Sequence, residues 1–186
     1  MQTKPATKEF IEWLRKNVGE LIPMTKKVVE SGEQHVPALF VFPKDDVISV
    51  QIMPMDPFFA AGTEGKDLVS MLHKQVGEDE QVECAVLVVE AYIVTATIKD
   101  QPISPVVDMK VSVADHPQRR EAITFNAINH GMQLIATYII KRPENTINDT
   151  WDHLMDPRVG ILEGEGAGEG VTAAVGRMVL DDRNIH

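Results

Sequence analysis

Cysteine is nearly absent. Cys84 is the only one in 186 residues, which excludes an intrachain disulfide framework and any zinc site built from several thiolates. Positive charge is also in short supply. Eighteen Lys and Arg residues stand against 28 Asp and Glu, leaving a net charge of −10 at pH 7. That is the wrong sign for a groove that tracks phosphates, so no nucleic-acid partner is expected. Long apolar runs are missing too. The most hydrophobic stretch, 84–98, is shorter than the ~18 to 20 residues of a membrane span, and Glu90 interrupts it. No apolar segment of the secretory type follows the polar opening Met1-Gln2-Thr3-Lys4. The expectation is a cytosolic protein in a reducing compartment, with no membrane contact.

Familiar catalytic and cofactor signatures are lacking as well. No Gly-x-Ser-x-Gly elbow occurs to carry a nucleophilic serine. Gly62 to Asp67 resembles a phosphate-binding loop only superficially: Ala60 stands where its first glycine belongs, and Asp67 where magnesium needs a hydroxyl. The glycine repeat Glu163 to Gly170 puts Glu165 and Glu169 where a pyrophosphate would sit, and leaves too little chain for a βαβ unit. No cofactor is therefore expected. Cys84 lies in an apolar run with no cationic neighbour to lower its pKa, the pattern of a packing residue.

What is present is a chain that can fold. Hydrophobic residues make up 44 % of it, and a protein of this size buries about 70 % of its unfolded surface. Phe10, Trp13, Leu14, Val18, Leu21 and Ile22 recur at helical spacing and predict a helix over 7–22. Pro23 should kink or end it, before a second piece that runs to a Gly32 cap. The runs 38–42 and 47–53 predict a hairpin. A helix capped by Thr63 should follow, over 64–76, with Leu68, Val69, Leu72 and Val76 inward. Val82 to Ala96 is apolar on both alternating faces, which predicts an interior strand covered on two sides. Residues 121–129 and 132–141 predict a second hairpin turning at Asn129-His130-Gly131. A short helix over about 147–155 should come next, then the acidic glycine linker and an apolar piece, 171–180.

The expected fold is α+β. A mainly antiparallel five-stranded sheet in meander-like order is covered by the N-terminal helices and one central helix. Residues 1–142 form the domain, and 143–186 an acidic, Gly-rich C-terminal extension that carries nine acidic and three basic residues.

Three groups of residues have chemistry to offer. His116, Arg119, Arg120 and Glu121 stand where a loop enters a core strand: an imidazole as general base, guanidinium groups as an anion clamp, a carboxylate beside them. A solvated turn with compensating charges fits the same residues. Glu90, inside an apolar strand, must be paired, protonated, turned outward or lining a cavity. With Tyr92 and Asn126 it could form a polar strip for a small polar ligand. Asp149, Asp152, His153 and Asp156 share one stripe if 147–155 is helical, a donor set that suits a divalent metal, although the polar face that an amphipathic helix must have accounts for them more simply. The reading that follows is a non-catalytic binding or regulatory module that forms a homo-oligomer, most simply a homodimer, or takes a protein partner. Nine methionines and open sheet edges favour this. The alternative is a small hydrolase or lyase using the His116, Arg119, Glu121 and Glu90 groups, with or without a metal.

Overall fold

A computed structural model of the chain describes residues 4–44, 50–93, 117, 119–147, 153–156 and 160–164. Helix α1 (Lys8–Glu30) starts where the Thr7 hydroxyl accepts the Phe10 amide at 3.2 Å, and it ends before Gly32, whose φ of 74° closes the last turn. It is one helix, not two pieces. Pro23 sits on its exposed side, and Gly19, the residue four back whose carbonyl the proline ring crowds, has open space around it. The turn therefore has room to absorb the missing hydrogen bond. Phe10, Leu14, Val18, Leu21, Ile22 and Val29 form the buried stripe.

The strands are β1 (Ala38–Pro43), β2 (Gln51–Pro54), β3 (Val82–Ile93), β4 (Arg120–Asn129), β5 (Met132–Lys141) and β6 (Thr146–Ile147), with β7 (His153–Asp156) and β8 (Gly160–Gly164) beyond them. All pairings are antiparallel, in the order β2-β1-β3-β4-β5-β7-β8, with β6 on the end of β5. The α+β class is as expected, but the strand count is not five. Up to Ile147 the sheet already has six, the sixth being the two-residue β6, too short to leave a period in the sequence. The order also departs from a meander, because β1 and not β2 lies beside β3. From β2 the chain passes through the short α2 (Asp56–Phe59) and α3 (Gly62–Gly77) before it enters β3 on the far side of β1.

The helix expected over about 147–155 gives way to strand at 153–156. There the open edge of β5 offers Ile135, Ala136 and Thr137 as partners, and Leu154, opposite Ala136, is buried. Ladder hydrogen bonds and burial outweigh a weak local period.

β3 divides the core in two. Cys84, Val86 and Val88 face α1 together with Phe125 and Tyr138, whose rings meet edge to face at 5.4 Å. Ala85, Leu87, Val89 and Ala91 face the other way, onto Leu39, Met55, Phe59 and Val69. The inward stripe of α3 is Val69, Leu72, His73 and Val76, and Leu68 is exposed. Two glycines set that rotation. A Cβ on Gly65 would lie 1.6 Å from the Phe58 carbonyl oxygen, and one on Gly77 would lie 2.5 Å from Ile128 Cγ2. The β4–β5 turn is the two-residue loop His130-Gly131, with φ of 39° and 86°. Asn129 stays in the strand, and its side-chain amide donates to the Glu83 carbonyl. Among the described residues no helix is long and apolar enough to cross a membrane.

These contacts separate two glycine substitutions. Gly65→Ala forces a Cβ against the Phe58 backbone carbonyl and should lower stability by about 3 kcal/mol, within the range for overpacking. Gly19→Ala meets nothing within 4 Å and should raise stability by up to about 1 kcal/mol. Urea unfolding of the two variants, followed by circular dichroism, checks both signs.

Candidate functional site

Where β3 leaves the core, parity puts Glu90 and Tyr92 on the α1 side of the sheet. Glu121 lies directly across from Tyr92, on β4. The two carboxylates are thus diagonal neighbours, an arrangement that repels unless a cation stands between them. Arg142, just past the end of β5, supplies it. Its Nε donates to Glu121 Oε2 at 2.8 Å, one terminal nitrogen donates to Glu90 Oε1 at 2.9 Å, and the other donates to Asn145 Oδ1 at 2.6 Å. The hydrogen bond donated to Glu121, then the nearby charges of Glu90 and Glu121, push the guanidinium pKa up against the opposing effect of burial. The Tyr92 hydroxyl donates to Glu121 Oε1 at 3.4 Å, and the Arg119 guanidinium lies 4.9 Å from the centre of the Tyr92 ring.

Three of the four candidate catalytic residues, Arg119, Glu121 and Glu90, therefore come together at one end of the sheet. The fourth, His116, lies outside the described residues. Arg142 and Asn145 are the members that sequence reasoning missed. Glu90 in an apolar run did announce that a partner was needed, but naming Arg142 requires the register of three strands. All three nitrogens of Arg142 are already donating. The group is built as a clasp tying β3 and β4 to the turn after β5.

The strip of Glu90, Tyr92 and Asn126 does not form. Asn126 pairs with Leu87, so it faces α3, on the opposite side of the sheet from Glu90. There its Oδ1 accepts from Gln133 Nε2 at 2.9 Å, beside Thr124 and Thr137, which pair across β4 and β5 and are both buried. Over this polar row sits His73, 2 % exposed, its Nε2 donating to the Ala85 carbonyl at 3.0 Å. Burial drives its pKa down to about 4, only partly offset by the Ala85 and Asn126 backbone carbonyls. Burial likewise pushes the Cys84 thiol well up, with Glu83 adding to the effect, so the single cysteine is a packing residue and not a nucleophile.

Of the candidate metal ligands, Asp149 and Asp152 lie outside the described residues, while His153 and Asp156 belong to β7. The helical stripe that grouped the four is not available at 153–156, since β7 is extended. Among the described residues no group of three or more His, Cys, Asp or Glu is placed to hold a metal ion. No protein-family model, no curated protein and no solved structure matches the chain.

Two outcomes follow from this geometry. Arg142→Met strands Glu90, whose side chain is 16 % exposed, against Glu121. It should cost about 1–3 kcal/mol in urea unfolding, with part of the loss recovered in the Glu90→Gln/Arg142→Met double variant. His73 is neutral in the fold well below the pH at which it protonates in the unfolded chain. Between pH 6.5 and about 4 the unfolded state thus binds the extra proton, and stability falls as pH falls through that window, by roughly 3 kcal/mol in total. His35, whose pKa burial also lowers, adds in the same direction. The pH slope of the unfolding free energy should flatten in His73→Gln, measured by urea titration from pH 7 to pH 4.

Proposed function

We propose that the chain is a non-catalytic binding or regulatory module that works by self-association. The observation carrying this reading is the set of large apolar side chains left outside while both faces of β3 are packed: Met24 is 56 % exposed, and Ile52 and Met71 are each 52 % exposed. Surface of this kind is stabilised by burial against another protein surface. The groups with catalytic potential point the same way. Arg142 occupies Glu90 and Glu121, Arg119 lies over Tyr92, and His73 and Cys84 are enclosed in the two cores.

The convergence of Glu90, Glu121 and Arg119 is the one feature that favours the rival reading, a small hydrolase or lyase that also uses His116. In such an enzyme a substrate would compete with Arg142 for the carboxylates, and bound ligand would stabilise the native state.

Size-exclusion chromatography with light scattering, paired with a thermal-shift screen of divalent metals and common metabolites, separates the two. The module reading expects a mass that rises above 20.7 kDa with concentration and a melting temperature indifferent to the screen. A 20.7 kDa species at every concentration, with a metabolite-dependent rise in melting temperature that Glu121→Gln abolishes, would overturn it in favour of the enzyme.

A further inference from the structure

The sheet has one edge whose described side chains carry no charge and whose outer side meets no described strand. β2 pairs with β1 alone, in the register Leu39↔Met53, Phe40↔Ile52 and Val41↔Gln51. The Met55 amide donates to the Pro37 carbonyl at 2.7 Å, one step beyond the Ala38↔Pro54 pair. That bond fixes the phase of the ladder. Ala38↔Pro54 and Phe40↔Ile52 are non-hydrogen-bonded pairs, so Met53 and Gln51 spend their backbone groups on β1. The N–H and C=O of Ile52 consequently point away from the sheet. Pro54, which has no N–H, occupies the next outward position. The side chain of Ile52 stands on the α1 side of the sheet beside buried Phe40 and is 52 % exposed, and Val50, just before the strand, is 39 % exposed.

We infer that β2 is where two copies of this chain join, antiparallel about a twofold axis at Ile52, so that their sheets run on as one. This rests on the self-association reading and gives it a place. The edge is complementary to itself in three respects. Ile52 can exchange both of its outward hydrogen bonds with Ile52 of the second copy, an arrangement that only an antiparallel twofold provides. At each end the Val50 amide then meets the Pro54 carbonyl of the other copy, so the missing proline N–H leaves a single carbonyl per copy to water. The two Ile52 side chains fall side by side on one face, continuing the row begun by Phe40 and burying surface that is exposed in the single chain.

Charge selects the same place. Two bodies of net charge −10 repel, yet Val50 to Met55 carries no ionisable side chain. A second copy can approach here without setting like charges against each other. A partner strand of unrelated sequence would pair with the same backbone groups but has no reason to centre on Ile52.

The test is the oligomeric state of the full chain by light scattering and analytical ultracentrifugation. Ile52→Pro removes an outward N–H together with the isoleucine side chain and leaves the donors of the β1–β2 ladder in place, while Ile52→Lys sets two ammonium groups across the twofold. Both should weaken dimerisation by about 30-fold or more, with unchanged far-UV circular dichroism and, at concentrations where all the proteins are monomeric, an unchanged urea midpoint. Met71→Lys, on the outer face of α3, should leave the dimer as it is. If Ile52→Pro proves unfolded, Ile52→Lys decides. A dimer that survives both Ile52 variants, or one that Met71→Lys dissociates, overturns the edge assignment while leaving self-association standing. A wild-type chain that stays monomeric at every concentration overturns both.

Discussion

A strand with apolar matter on both faces can meet no water along its length, and every backbone amide and carbonyl in it must find a partner within the sheet. β3 is in that position from Cys84 to Val89, where each side chain is almost wholly enclosed. Partners are then obligatory on both edges, and β1 and β4 are those partners, through Ala38–Pro43 and Arg120–Asn129. Cover is obligatory on both faces, which calls for α1 on one side and the α2–α3 pair on the other. The crossover from β2 to β3 follows from the same requirement: α3 has to lie over β3, and the chain delivers it there by stepping past β1.

The same strand explains why charge gathers where it does. Beyond Val89 the enclosure loosens, and Glu90 is the first side chain on the α1 face that could not stay ionised in an apolar layer. A carboxylate there is stabilised by a cation that arrives from elsewhere in the chain, and Arg142 arrives because β5 ends beside β4 at this level. Glu121 then serves as a second acceptor, and Tyr92 and Arg119 fill the rim. Each member is oriented by at least one other. Such a network holds strand ends in register, and its energy comes from leaving no charge unpaired more than from any single bond.

Much of this was legible in the residues because it depends on period alone. The double-faced apolar run of β3 and the alternating runs of β4 and β5 state their environment without reference to anything distant. The failures share a cause. Whether Asn126 sits with Glu90 or behind it turns on a pairing register one residue either way, which no local pattern encodes. The stripe of α3 is displaced to include His73 because Gly65 and Gly77 admit Phe58 and Ile128 at close range, and the second of these contacts joins segments far apart in sequence. At 153–156 a helical spacing of apolar residues lost to the free edge of β5. Arg142 carried no signal at all, since its carboxylate partners stand 52 and 21 residues away.

Function in a fold of this kind follows from what is left at its boundaries. Cys84 and His73 are placed where burial disfavours their charged forms, and the half-buried carboxylates Glu90 and Glu121 are held by a guanidinium. The backbone at β2 is under the opposite condition. Its inner groups are satisfied, its outer groups face away from the sheet, and its side chains are uncharged in a chain otherwise rich in charge. An edge of this composition is a liability for a solitary domain, which natural sheets blunt with lysine, bulges or covering loops. Here the described edge shows a single proline, set where it removes one donor at the end of the strand and leaves the centre open. That is the pattern of an edge with its pairing length limited, and a limited pairing length suits a partner of equal length, which a second copy of the strand supplies.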